Sequence, residues 1–165
     1  SAIINQINQA LRQGDVALIL LDIDHFKRIN DEYGHPTGDR VICALVSRVR
    51  RALPDHASIG RVGGEEFTIL LPGARIEDAM LIASYLHASL NAAPLECLPD
   101  QYVTASFGVS LGARNSDFES LYSAADTALY DAKRRGRNQV ALQGDFFRAD
   151  VKKPHIAARL SIGQD

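Results

Sequence analysis

The chain has 165 residues, 46% hydrophobic and 23% charged, which suits one globular domain with a full core. A net charge of −2 removes any general electrostatic case for binding DNA, RNA or anionic membranes, so a polyanion site has to come from a local basic cluster. Cys43 and Cys97 make no metal-spaced pair or disulfide framework, and neither a membrane-length apolar run nor a signal peptide is visible, so a reduced cytoplasmic setting is expected.

Ser1-Ala2 runs straight into a helical pattern, an abrupt start that reads as an excised fragment. Ile3, Ile4, Ile7 and Leu11 recur at helical spacing as far as Arg12, and Gly14 stops the helix. Val16 to Leu21 is a continuous apolar run, too short for a buried helix, and reads as a central strand ending in Asp22-Ile23-Asp24. A short helix is expected over His25 to Asn30, broken by Tyr33-Gly34-His35-Pro36. From Pro36 to Leu53 a longer helix puts Val41, Ile42, Leu45, Val46, Val49 and Leu53 on its core face. Cys43 is expected there as a small buried hydrophobe, and Pro54 closes the helix.

Two β-rich runs follow, Ala57 to Val62 and Phe67 to Leu71, flanking Gly63-Gly64-Glu65-Glu66. That pattern predicts a β-hairpin with acid at its tip. Ile76, Ala79, Ala83, Leu86 and Leu90 mark another helix, ending near Pro94. Gln101 to Leu111 reads as a strand with Val103, Ala105, Phe107 and Val109 on one face. Ser116-Asp117-Phe118-Glu119 fits a capping box, and Leu121, Ala125, Ala128, Leu129 and Ala132 carry a helix to Gly136. Asn138 to Leu142 is a short last strand; the tail from Gly144, with Pro154 and basic residues, is expected to be loosely held. The order α-β-α-α-β-β-α-β-α-β predicts an α/β (α+β) domain. Its mixed central sheet has about five strands, with helices packed around it. Sequence order leaves the strand order open.

The chemistry gathers at the hairpin. Neighbouring carboxylates at Glu65 and Glu66 repel unless a cation sits between them, and the two glycines allow close approach of a ligand. An exposed acidic hairpin with no ligand is the other reading. Asp22 ends a buried strand, where ligand sites of α/β sheets gather, though a helix N-cap is equally open to it. Alternation through Asp22-Ile23-Asp24 is read as turning Asp22 and Asp24 to opposite faces if the strand persists, so only one is expected to face the hairpin, and Asp22 is chosen. If its strand lies beside the hairpin, Asp22, Glu65 and Glu66 converge into an oxygen-rich site suited to Mg²⁺ or Mn²⁺ with a nucleotide phosphate.

Asp22-Ile23-Asp24-His25-Phe26-Lys27, Asn30, Tyr33-Gly34-His35 and Gly38-Asp39 resemble the first half of a GGDEF domain, and Gly63-Gly64-Glu65-Glu66-Phe67 resembles its signature loop in the GGEEF variant. Arg61-Val62 is similar to the dipeptide usual before that loop. Thr104-Ala105-Ser106-Phe107-Gly108-Val109 resembles the fourth strand, and Ala125-Asp126, Ala128-Leu129-Tyr130, Ala132-Lys133 and Gly136-Arg137-Asn138 resemble the last helix and its exit. The resemblance covers about Ala17 to Leu142 and is to diguanylate cyclases, which make cyclic di-GMP from two GTP.

It implies a domain over residues 1–143, with 144–165 as a tail, and a fold like that of nucleotide cyclases and polymerase palms. It implies that Asp22, the Ile23 carbonyl, Glu65 and Glu66 bind Mg²⁺ or Mn²⁺, with the two hairpin acids catalytic and Glu65 placed to assist loss of the 3′-OH proton. Asn30 and Asp39 would read guanine, whose adjacent N1–H and N2–H₂ donors one carboxylate can accept together. Phe26, Lys27, Gly63, Gly64, Lys133 and Arg137 would complete the substrate site, the basic residues on phosphate. By themselves these residues read more plainly. Asp39 is also an acid favoured by a helix dipole, Asn30 an ordinary helix-end residue, and Lys133 with Arg137 a solvated basic turn. The implied partners are GTP, cyclic di-GMP, a second copy of the chain needed for catalysis and an upstream sensory domain, with no nucleic acid and no membrane segment. The alternative is a catalytically silent module that binds GTP or cyclic di-GMP.

Two departures stand out. The Asp-x-Leu-Thr-Gly-Leu-x-Asn-Arg stretch usual before the first helix is absent. The Arg-x-x-Asp of an inhibitory product site is replaced by Pro54-Asp55-His56-Ala57, and neither Pro54 nor Ala57 can grip guanine or phosphate, so no such site is expected.

Overall fold

The run Val16 to Leu21, without one strongly polar side chain before Asp22, can be satisfied only where both faces of a strand are covered. The computed structural model, which describes residues 2–62 and 65–144, puts that run at the middle of a sheet. The elements are α1 (Ala2–Gln13), β1 (Val16–Ile23), α2 (Phe26–Tyr33), α3 (His35–Ala52), β2 (Ser58–Arg61), β3 (Glu66–Pro72), α4 (Ile76–Ala92), β4 (Ala105–Gly112), α5 (Phe118–Arg134) and β5 (Val140–Leu142). Their order is the one the patterning predicts. The sheet runs β2-β3-β1-β4-β5; β1 is antiparallel to β3 and β4, and β5 is parallel to β4. The mixed five-stranded sheet agrees with expectation. Among the described residues no helix is long and apolar enough to cross a membrane.

Alternation along β1 divides the core. Ala17, Ile19, Leu21 and Ile23 join Phe67, Ile69 and Phe107 beneath Val41, Leu45, Ala83 and Leu86 of α3 and α4. Val16, Leu18 and Leu20 face the other way, against Ile7 and Leu11 of α1 and Leu121, Ala125 and Leu129 of α5. Each fully buried leucine or isoleucine contributes about 1.5–3 kcal/mol. On the α5 face β4 carries only small residues, which lets the helix backbone close on the strand. A Cβ at Gly108 would lie 2.2 Å from the Ala125 carbonyl oxygen and 2.4 Å from the Leu129 nitrogen. Ser110 Oγ donates to the Leu121 carbonyl at 2.9 Å.

The structure departs from expectation in detail. Cys43 is exposed, because the buried face of α3 is Gly38, Val41, Ile42, Leu45 and Val49, and the residue after Ile42 is turned about 100° away from it. β4 begins at Ala105 rather than Gln101: its partner β1 ends at Ile23, paired with Ala105, so residues 101–104 have no ladder to join. α2 runs one turn past Asn30 to Tyr33, and Gly34, at φ 88°, then gives its amide to the Asn30 carbonyl. α5 is capped by Asp117, whose Oδ1 accepts from Ser120 N at 2.7 Å, while the Oγ of Ser116 is buried without a partner. A cap of this kind contributes about 1 kcal/mol. The other end closes as expected. Gly136 takes φ 124°, and the Gly136 and Arg137 amides return to the Lys133 and Ala132 carbonyls. The tail expected to be loose lies, from residue 145, outside the described residues.

Candidate functional site

The end of β1 is the pivot. Asp22 stands opposite Glu66 in the β1–β3 ladder and opposite Ser106 in the β1–β4 ladder. Its side chain belongs to the parity that faces α5, and Lys133 reaches down from that helix to form an ion pair with Oδ2. Asp22 is 8% exposed, and its Oδ1 is buried with no hydrogen-bond partner. Burial raises the carboxyl above its ordinary pKa; Lys133 opposes that, and the charges of Glu65 and Asp24 add to it.

Alternate residues of a strand point the same way, so alternation does not separate Asp22 from Asp24. What separates them is the end of the strand. Asp24 turns away and accepts three hydrogen bonds: Thr104 Oγ1 at 2.7 Å, Ser106 Oγ at 2.6 Å and the Asn138 amide at 2.9 Å. It thereby fastens β1 to the start of β4 and to the turn after α5, where Arg137 and Asn138 hold φ of 64° and 49°. His25, at φ 56°, then reverses the chain into α2.

The expected convergence of three acids is partial. Glu66 opens β3 and points to the α5 face, where the Tyr122 hydroxyl donates to its Oε1 at 2.6 Å. Burial, and then this contact, push the Tyr122 hydroxyl well above its ordinary pKa. Glu65, one residue earlier, lines an open groove of about 520 Å³ with Phe26, Lys27, Asn30, Asp39 and Arg61. Among the described residues no three acidic, histidine or cysteine side chains come close enough to hold an ion by themselves.

Several residues expected in a substrate site meet in that groove. Asn30 comes from α2 and Asp39 from α3, just past its first turn, and Gly38 leaves room for the Asn30 side chain. A Cβ there would fall 1.9 Å from Asn30 Oδ1 and 3.2 Å from Phe26 Cζ. Lys27 is paired with Asp31 at 2.9 Å on the surface. Lys133 lies on Asp22 rather than in the groove, and Arg137 is an exposed residue of the turn after α5. Gly63 and Gly64 lie outside the described residues. Sequence reasoning missed Tyr122, which carries no motif signal, and the holding role of Asp24, whose partners are 80 to 114 positions away. It also missed Asp31 and His35 on the groove wall.

The donor set suits a hard cation. Mg²⁺ and Mn²⁺ sites with nucleotides use one or two carboxylates plus phosphate oxygens rather than an all-protein cage. Asp22 and Glu65 are two such carboxylates, and the unpartnered Oδ1 of Asp22 is a buried anionic oxygen that a cation would satisfy.

Comparison with known proteins places the chain in one family. The family model described as "Diguanylate cyclase, GGDEF domain" matches residues 1–139. The chain is 40% identical over 128 residues to diguanylate cyclase DgcP of Pseudomonas aeruginosa, covering 77% of this chain and 19% of that protein. It spans 19% to 34% of the length of the curated relatives it matches. Among solved structures, the GGDEF domain of DgcB from Caulobacter crescentus in complex with c-di-GMP superposes with a TM-score of 0.81 at 29% identity, covering 86% of this chain and 88% of that one. The active GGEEF domain of a diguanylate cyclase from Vibrio cholerae superposes at 0.74 with 34% identity, covering 86% and 90%.

Proposed function

Because the chain belongs to the family of diguanylate cyclase GGDEF domains, we propose that it condenses two GTP into cyclic di-GMP and two pyrophosphates. The observation that carries the reading is the groove itself. Glu65 shares it with Asn30 and Asp39, and Asp22, with its unpartnered oxygen, lies near enough for the Glu65 charge to act on it. Asn30 and Asp39 therefore suit a base, and the Glu65 and Asp22 carboxylates would suit a cation that carries the phosphate chain.

In this account Asp39 accepts the N1–H and N2–H₂ donors of guanine, and the Asn30 amide lies beside it. Lys133 and Arg137 take phosphate oxygens. Asp22, Glu65 and the Ile23 carbonyl would hold Mg²⁺ or Mn²⁺, with Glu66 alongside. Such an ion, when bound, neutralises triphosphate charge and favours charge build-up at the α-phosphate. Two copies of the chain face each other with one GTP apiece. Each ribose 3′-oxygen gives up its proton, with Glu65 placed to accept it, and bonds to the α-phosphorus of the other GTP. The bond from that phosphorus to the pyrophosphate oxygen breaks, and pyrophosphate leaves with the electron pair. Two such displacements close the ring. The protein's own share is positioning and charge placement.

The domain assigned to this work spans residues 1–143. The reading is tested by pyrophosphate release from GTP with Mg²⁺ or Mn²⁺, in the wild type and in Glu65→Gln. Glu65→Gln should stay folded and lose ~10²-fold or more in rate, as for other preorganised electrostatic groups. A near-normal rate in folded Glu65→Gln would remove Glu65 from the metal site.

A further inference from the structure

Asp22 and Glu66 are a like-charged pair directly across two strands, an arrangement that costs stability unless each charge has its own partner. α5 supplies both partners. Lys133 pairs with Asp22, and Tyr122, three turns earlier on the helix, donates to Glu66 Oε1 at 2.6 Å. A hydroxyl donating to a carboxylate at this distance is a strong, charge-assisted bond. Backbone bonds fasten the hairpin tip more loosely: Ile23 N reaches the Glu65 carbonyl at 3.4 Å and Val62 N reaches the Glu66 carbonyl at 3.3 Å. Tyr122 is itself held, with its ring against Phe118 at a centroid separation of 5.4 Å and packed on the α1–α5 core.

We propose that Tyr122 is a positioning residue: its hydroxyl fixes the Glu66 carboxylate opposite Asp22 and thereby sets the hairpin tip that carries Glu65. This inference rests on the cyclase reading above. Tyr122 touches Glu66, which is assigned to the metal edge of the site, and acts through it. The two adjacent hairpin acids thus divide their work. Glu65 faces the groove, and Glu66 is the handle by which α5 holds the tip.

Tyr122→Phe removes one hydroxyl and keeps the ring on Phe118, so the core is left intact. Amide exchange in the ligand-free protein reads the tether directly, because the Ile23 and Val62 amides bond to the tip carbonyls. Both should exchange about tenfold faster in Tyr122→Phe, with Leu18 and Leu20 in the middle of β1 unchanged. The kcat for cyclic di-GMP should fall about tenfold while the KM for GTP stays within about twofold, since guanine recognition is untouched. Unchanged exchange at Ile23 and Val62 overturns the proposal. So does faster exchange with an unchanged kcat, or a uniform rise at every amide, which would mark Tyr122 as a general packing residue. A wild-type chain that makes no cyclic product overturns the cyclase reading and the catalytic half of this inference with it; the exchange result decides the tether in either case.

Discussion

Lys133 meets Asp22 across 111 positions of sequence, and the ion pair joins the end of the central strand to the last turn of α5. The carboxyl is still raised above its ordinary pKa, because burial outweighs the ammonium. Asp22 is therefore a charge held in place at a cost, as expected of a group arranged for a ligand.

That cost is measurable. A carboxyl raised on folding stabilises the fold while it is protonated. The stabilisation is complete below the unfolded value of 3.8 and is lost as pH rises through the folded value. Asp22→Asn is neutral at every pH. In metal-free buffer at pH 7 it should melt above the wild type, and the gap should close as pH falls toward the carboxylate range. An Asp22→Asn protein that melts well below the wild type at pH 7 would mean that the Lys133 pair outweighs burial.

Guanine selection is expected to depend on Gly38 as much as on Asp39. A methyl group at Gly38 would displace Asn30 Oδ1, which lies 1.9 Å from the Cβ position, and the side chain can swing away with little cost to the fold. Gly38→Ala should raise the KM for GTP by about tenfold with a melting point near the wild-type value. Asp39→Ala should hurt GTP use more than ATP use, because a site built for two donors rejects a base that lacks them. Equal losses for both nucleotides would make Asp39 structural.

Gly108 sets how closely α5 lies on the sheet. Its Cβ would meet backbone atoms of Ala125 and Leu129 at 2.2 and 2.4 Å, and backbone cannot swing aside. Gly108→Ala should cost about 3 kcal/mol or more and lower the melting point by roughly 6–12 °C. A shift under ~2 °C would show that α5 slides freely on β4.

Elements defined by local pattern were legible in the sequence. The buried run from Val16 could only be a central strand, and the helical spacings from Ile3, Val41, Ala79 and Leu121 each located a helix. Features set by distant partners were not legible. The start of β4 depends on where β1 stops, and the capping residue of α5 is decided by one residue of register between Ser116 and Asp117. The site divides in the same way. Asn30, Asp39 and Glu65 are brought to one groove, whereas the separate orientations of Glu65 and Glu66 follow from where β3 begins. Tyr122 becomes visible only once α5 lies on the sheet.

Product control should be weak at Pro54 and Ala57, where the family resemblance leads one to expect Arg-x-x-Asp. Pro54 and Ala57 line a hollow of about 370 Å³ with Arg50, Asp55 and Ser58, and neither supplies a charged fork or a carboxylate. Losing two contacts to charged groups, each about 1.5–3 kcal/mol, costs roughly 3–6 kcal/mol, on the order of a hundredfold or more in affinity. Titration with cyclic di-GMP at several GTP concentrations should show competition only. Tight non-competitive inhibition, with product bound beside Asp55, would mean that Arg50 and its neighbours have rebuilt the site.

The most direct measurement of the central claim is the identity and stoichiometry of the products formed from GTP with Mg²⁺ or Mn²⁺, followed by mass across a dilution series. The account predicts cyclic di-GMP with two pyrophosphates per molecule, and a specific activity that falls as the chain is diluted below its dimerisation range. GTP recovered unchanged at every protein concentration, or turned over at a specific activity that does not change on dilution well into the monomer range, would contradict it.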